Sequence, residues 1–534
     1  MKKKRILCMV LTGALLISAL AACTPPVQQP VEPAPVTPAP AATVPTPTPE
    51  PTPTPPADEI GRGVIVATQN ETPSVAPARH TAVAGGFKNA LTHNGLFRIN
   101  YATLEPVPDL VSSWRAVSDT LFEFTLHEGI MFHNGEEMTA YDVVASVAYV
   151  RTHPYAAASH GSVVGAEVVD RYTFTLDTGS PNAMLFFDLA LQGNFIMPAS
   201  LIEGGHDFTV DPVGSGPFVF NEWDFGNSLT FTRFDNYFDA DRAARVEYIH
   251  WRVIPEGSSR TIALEGGEVD YVVEVATADI NRLEENPNID VKMIPGTVHN
   301  FLLLNNDLPM FADVNVRRAI HMALDIEAMT IAGVDGFATP TWANMPTVFA
   351  GSSMEGTRSF DPDAARALLA ENNIDPSTIS FEILASNDVG ARMGTVVQSN
   401  LADIGIDVSI AMIDLAGWLT VTASEYYEAA FGSFSATNIL TFFRSTSHIS
   451  SINGPNRSRM RNQELTDLID QAIVTTDASS RIAILEEASR IANEHVGFIP
   501  IYLTLVVRAF NSDLVVPETH ATGALNLNMI YWAD

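Results

Sequence analysis

The chain has 534 residues, 46% hydrophobic and 17% charged, a globular composition with room for two or three domains and a large core. Its formal charge is −32; without residues 1–22, which hold four of the 30 basic side chains and no acid, 26 basic groups face 62 acidic ones, or −36. Only Lys88 and Lys292 then remain as lysines, so nucleic acid is not an expected partner, because phosphate neutralisation needs clustered Lys and Arg; the acidity fits a solvated surface.

Lys2 to Arg5 form a charged n-region and Ile6 to Leu20 an apolar stretch short for a spanning helix, so residues 1–22 read as a secretion signal. The signal ends Leu20-Ala21-Ala22-Cys23, which resembles a bacterial lipobox and implies cleavage before Cys23 and a diacylglyceryl thioether on it. Cys8 leaves with the signal, so the mature fold has no disulfide. Residues 23–59 are rich in Pro, Thr and Ala, have little to bury, and read as an extended tether of roughly 100 Å at about 3.1 Å per residue. An anchor plus a spacer suits a domain held at the extracellular face of the cell membrane and clear of a cell wall.

The folded body starts near Gly61. Gly63 to Thr68 reads as a strand, followed by Gln69, Asn70 and Glu71. In Leu121 to Val150, Phe122, Phe124 and Leu126 alternate with polar residues as in a half-buried strand. Glu128-Gly129 turns the chain, Ile130 to Phe132 gives a second short strand, and Asn134-Gly135 a tight turn. Thr139 and Asp142 make a capping box for a helix whose apolar stripe is Val143, Val144, Val147 and Val150. Physics alone makes this a ββα unit without chemistry. Its order of Phe124, Leu126, Gly129, Phe132, His133, Asn134, Gly135, Thr139, Ala140, Asp142 and Val143 resembles the signature of the family 5 extracellular solute-binding proteins, the oligopeptide-, dipeptide- and nickel-binding subunits of ABC importers. His127, Glu128 and His133 lack the spacing of a metal-binding helix, and no metal is expected.

The resemblance extends along the chain. Asn94 to Phe97, Glu105 to Leu110, Ser113-Trp114 and the strand Tyr172 to Leu176 match the surroundings of the signature. Pro212 to Phe218 resembles the family's V-G-T-G-P turn. A nucleophile elbow would need glycine two before and two after Ser215, where Val213 and Pro217 stand. Leu264 to Asp270, Asp313 to Asp325, Gly405 to Ile410 and Ile499 to Tyr502 match further family segments. Arg317 and Arg318 read as structural ion pairs rather than anion anchors. Asp361-Pro362 starts a helix, Phe381 to Leu384 is a strand, and Gly394 to Ile404, Leu465 to Ile473 and Arg481 to Asn493 are helices.

The resemblance implies an α/β, two-lobed fold of the periplasmic-binding-protein type (type II, cluster C) with an extra inserted domain. Lobe I is expected over 60–97, 204–298 and 499–534, the inserted domain over 98–203, and lobe II over 299–498. It also implies the site. Gln69, Asn70 and Glu71 follow the strand that ends at the family's cleft, Asn387 and Arg392 flank a cleft-facing loop, and Trp418 stands where the family has a pocket tryptophan or, equally, in the core. Peptide-binding members pair ligand backbone with a Gly-Trp-x-x-Asp run whose acid meets the peptide's ammonium. Here the run is Gly432, Ser433, Phe434, Ser435 and Ala436, so the acid is missing. Either Glu425, Glu428 or Glu71 replaces it, or the ligand has no free amino end.

The expected function is therefore a lipid-anchored, monomeric solute-binding subunit that hands an oligopeptide to an ABC permease and ATPase complex, without cofactor, metal or catalytic residues. A metal chelate, oligosaccharide or opine-like amine is the alternative cargo, and a surface hydrolase the remaining reading.

Overall fold

The computed structural model describes residues 62–533 apart from 73, 78–82, 101, 153–161, 192–193, 425, 453 and 518. The secretion signal, Cys23, the tether and Glu425 lie outside the described residues. In chain order the strands are β1 (Val64–Thr68), β2 (Phe97–Ile99), β3 (Pro106–Pro108), β4 (Val111–Ala116), β5 (Leu121–Leu126), β6 (Gly165–Val168), β7 (Thr173–Asp177), β8 (Phe218–Asp224) and β9 (Ser228–Arg233). They continue as β10 (Tyr248–Val253), β11 (Tyr271–Val272), β12 (Ile289–Leu304), β13 (Ala338–Pro340), β14 (Ser380–Ala385), β15 (Asp407–Met412), β16 (Ala429–Phe434) and β17 (Phe498–Asn511).

The fold is mixed α/β and two-lobed. Its main sheet runs β15-β14-β16-β12-β17-β11-β1-β10-β9-β8, with β13 on β17. At one end β1, almost wholly buried as a parallel strand should be, lies between β10 and β11. At the other end β14 lies parallel between β15 and β16. The two halves share only the long antiparallel pair β12 and β17, of 16 and 14 residues. The pair loses register between Pro295 and His299, and Gly296 fits there because a Cβ would stand 2.6 Å from the Thr504 carbonyl. Separate cores follow: Phe218, Phe231 and Trp251 pack in one half, Ile320, Val397 and Phe431 in the other. A third core, with Phe122, Phe124 and Phe174, fills a four-stranded sheet β4-β5-β7-β6.

The ββα unit forms with two differences from the sequence expectation. Gly129 and Gly135 take φ of 75° and 85°, as the turns require. Between two such close turns Ile130 to Phe132 has no length for a strand, and Met131 makes only an isolated bridge to Glu137. The helix Ala140–Thr152 starts as expected, with Asp142 Oδ2 accepting from the Thr139 N–H and Oγ1–H at 2.8 Å. Its buried face, however, is Asp142, Val143, Ser146 and Val150, with Val144 and Val147 half-buried. Polar contacts turn the helix: Asp142 Oδ1 accepts from Ala199 N and Ser146 Oγ accepts from Met197 N.

The Pro212 to Phe218 segment packs against the end of the helix Val83–Thr92. Gly216 N donates to Thr92 O at 2.9 Å, and a Cβ on Gly214 would meet that oxygen at 2.2 Å. His133 Nε2 lies 3.0 Å from Gly216 O, and Ser215 Oγ donates to Asn94 Oδ1. Arg317, expected in an ion pair, instead donates to the carbonyls of Val496, Phe311, Ala312 and His495.

Candidate functional site

Four remote segments, one of them holding Ala190 and Phe195, and the loop after β16 line a cavity of about 200 Å³. The helix Val83–Thr92 and β2 supply His93, Asn94 and Arg98; the chain after β9 supplies Tyr237 and Arg242; the C-terminal loop supplies His520, Thr522 and Asn526; Thr437 comes from the other half of the sheet. The register break in β12 positions this junction. Thr297 N donates to Ala521 O at 3.1 Å, and Thr297 Oγ1 lies 3.3 Å from Ser435 Oγ. The end of the Gly432 to Ala436 run thus meets the loop carrying His520 and Thr522.

One wall is a satisfied polar network. Asn94 Nδ2 donates to Asp109 Oδ2 and to Tyr237 OH, both at 3.0 Å. Arg242 pairs with Asp109 and, through Nε at 2.6 Å, with Asp239. Burial, then the nearby Asp109 charge, holds the Tyr237 phenol well above its usual range. The opposite wall hangs on Arg508, which is 6% exposed and donates to the carbonyls of Val273, Val507 and Gly523, pinning the C-terminal loop to the sheet. Burial pushes the His520 imidazole down to about 4, so it is neutral at pH 7. Arg98 projects from β2 with its Nε buried and, among the described residues, unpartnered.

The other expected site residues are distributed unevenly. Trp418 and Gly432 are brought together: a Cβ on Gly432 would stand 3.2 Å from Trp418 Cζ2. Trp418 is 7% exposed, lies in the core with Phe301 and Leu303, and leaves its Nε1 without a partner while Arg457 stacks 5.0 Å from its ring. Phe434 packs edge-on to Phe442 at 5.5 Å, and Ser433 is exposed on β16. Gln69 and Asn70 are exposed after β1. The Glu71 carboxylate instead holds the β8–β9 turn, accepting from Trp223 Nε1 at 2.8 Å and Gly226 N at 2.6 Å. Asn387 caps the helix Asp388–Asp403 by accepting from Gly390 N, and Arg392 donates to the carbonyls of Ala332 and Gly333 at the end of the helix Ile326–Val334. None of the expected site residues lines the cavity, neither Gln69, Asn70, Glu71, Asn387 and Arg392 nor Trp418 and Gly432 to Ser435.

Sequence reasoning did not single out Asn94, Arg98, Asp109, Tyr237, Arg242 or the 520–528 loop as site residues. Asn94 and Asp109 stood within matched family segments, and Arg98 is one of few cations in an acidic chain, which was the available signal.

This is the architecture of a two-lobed binding protein, with a polar cavity beside the strands that join its halves. Residues 105–448 match the model of bacterial extracellular solute-binding proteins, family 5 (Middle). The chain belongs to that family, whose members bind small solutes and work with the permease and ATPase of ABC importers. It is 24% identical over 444 residues to "Heme-binding protein A" of Haemophilus influenzae, covering 77% of this chain and 81% of that one. It is 24% identical over 477 residues to "Di/tripeptide-binding protein 2" of Pseudomonas aeruginosa, covering 82% and 88%. Its fold resembles the solved structure of HbpA2 from Haemophilus parasuis, with a TM-score of 0.81 at 20% identity over 88% of this chain and 100% of that chain.

Proposed function

We propose that this chain captures a short peptide in the cavity between its halves and delivers it unaltered to an ABC permease. The observation that carries the reading is the 200 Å³ cavity with Thr437 on one side and the Asn94, Tyr237, Arg242 and 520–528 walls on the other. A volume below the about 300–1,000 Å³ of drug-sized pockets suits a di- or tripeptide or a fragment of a larger solute. The di/tripeptide-binding relative supports a peptide cargo, and the heme-binding one keeps a non-peptide solute as the second reading. In this account 60–97, 204–298 and 499–534 form lobe I, 98–203 an inserted domain and 299–498 lobe II. β12 and β17 act as the hinge. Trp418, Gly432, Ser433, Phe434 and Ser435 back the lobe II side behind Thr437, and Gln69, Asn70 and Glu71 lie on lobe I outside the cavity.

A thermal-shift screen tests the cargo, since a ligand of the native state raises the melting temperature. In a panel of di- and tripeptides with free and with acylated amino ends, at least one of the two forms is expected to raise it, while oligosaccharides and metal chelates leave it unchanged; a response only to the latter two overturns the peptide assignment.

The lipid anchor on Cys23 is part of the same proposal, motivated by the Leu-Ala-Ala-Cys sequence and the tether behind it. Cys23→Ser is expected to move the protein from the membrane fraction to the medium or periplasm. An unchanged membrane fraction would refute it.

A further inference from the structure

The cavity carries an uncompensated positive charge. Asp109 is the only carboxylate among its described lining residues, and it is consumed by Arg242 and Asn94. Arg242 is shared between Asp109 and Asp239. That leaves Arg98. Among the described residues its side chain has no ion pair or hydrogen bond, and its Nε is buried. In a chain with two acids for every base, an arginine left unpaired beside a cavity is a donor set waiting for an acceptor.

No matching negative group stands ready on the lobe II side. Thr437 is the only described residue of 299–498 that lines the cavity, and it is uncharged; Ala436 beside it, in the position of the acid in the resembled run, is buried. Of the described substitutes, Glu71 is taken by the β8–β9 turn, and Glu428 accepts from Glu382 N at 2.7 Å. A ligand ammonium here would lose its water without gaining an anion. A carboxylate facing Arg98 would gain a planar fork of charge-assisted hydrogen bonds.

We propose that Arg98 binds a carboxylate of the solute, and that the end of the solute nearest Thr437 is uncharged: the cargo is an acid without a free ammonium at that end. This rests on the reading of the cavity as the solute site.

Calorimetric titration of the purified full chain, freed of bound solute by unfolding and refolding, tests it with three probes: N-acetyl-dialanine, dialanine amide and glutarate. N-acetyl-dialanine is expected to bind and dialanine amide not. Arg98→Gln should weaken N-acetyl-dialanine at least tenfold and Arg98→Lys less. The melting temperature of the unliganded variants should match wild type, since Arg98 is half-buried and unpartnered. Glutarate binding that depends on Arg98, with neither peptide derivative binding, would keep the carboxylate assignment and remove the peptide one. Equal binding of the amide, binding indifferent to Arg98→Gln, or no binding of any probe would overturn the inference.

Discussion

Arg317→Met is expected to lower the unfolding free energy by about 3–5 kcal/mol, read as a lower urea midpoint. Arg317 is 2% exposed and sits on the helix Val314–Ala323. Among the described residues it pairs with no carboxylate. Its guanidinium instead bridges the carbonyls of Phe311 and Ala312, before its own helix, to those of His495 and Val496, at the end of the helix Ala478–His495. Val496 closes that helix in the left-handed region at φ 50°, and its carbonyl is aimed at Arg317 Nε at 2.9 Å. Burial, then Arg318, pulls the Arg317 pKa down to about 10, so the group stays charged at pH 7. Methionine refills most of the volume but donates nothing, leaving four acceptors to find water in a packed site. An unpaired buried acceptor costs about 1–3 kcal/mol, so even partial rehydration leaves a large loss. A change under about 1 kcal/mol would mean that the carbonyls are satisfied without the arginine.

The second large effect is acid lability. Burial pushes His93, His299 and His321 down to about 3 and His133, His495 and His520 to about 4. His299 is the clearest case: both ring nitrogens lack partners, and the rings of Phe301, Phe442 and Phe498 lie 5.7–6.0 Å away. Each folded pKa lies below the unfolded value of about 6.5, so the unfolded chain binds more protons once the pH drops below it. This stability is therefore complete above about pH 6.5 and is lost as the pH falls toward 3–4. At pH 4.5 each such histidine costs up to about 2–3 kcal/mol. Asp188 works in the opposite direction, its carboxyl pushed up to about 7 by burial, as do Glu105 and Asp270. They offset part of the loss. Circular-dichroism melts should give a flat melting temperature from pH 8 to 7 and a steep fall below 6. An unchanged melting temperature at pH 4.5 would contradict the burial of neutral histidines.

Local signals carried much of the fold into the sequence. The alternation of Phe122, Phe124 and Leu126 marked β5, and Asp361 marked a helix start by accepting from Ala364 N; Pro212 to Phe218 was legible as a turn, but not the close approach of Gly214 and Gly216 to Thr92. The long pairing of β12 with β17 was not legible. In IDVKMIPGTVHNFLLL the period is interrupted by Pro295-Gly296, so the sequence does not announce one continuous strand. The helix Ala140–Thr152 was turned by Asp142 and Ser146, whose partners Ala199 and Met197 lie more than fifty residues away.

The cavity itself was not legible in the sequence. Gly432 and Trp418 stand side by side and Ser435 reaches the junction with the C-terminal loop, but none of the three lines the cavity. Asn387 stands directly before a helix, where an asparagine is an ordinary cap, a reading the resemblance obscured. The cavity walls could not be read in advance, because Asn94, Asp109, Tyr237 and Arg242 become neighbours only through tertiary contacts.

The most direct test of a non-covalent carrier is to unfold the freshly purified protein and identify what it releases by mass spectrometry. The account predicts one small intact solute per chain, recovered unchanged after rebinding and a second release. A chain that yields no solute and accepts none, or that returns its cargo hydrolysed, would contradict it.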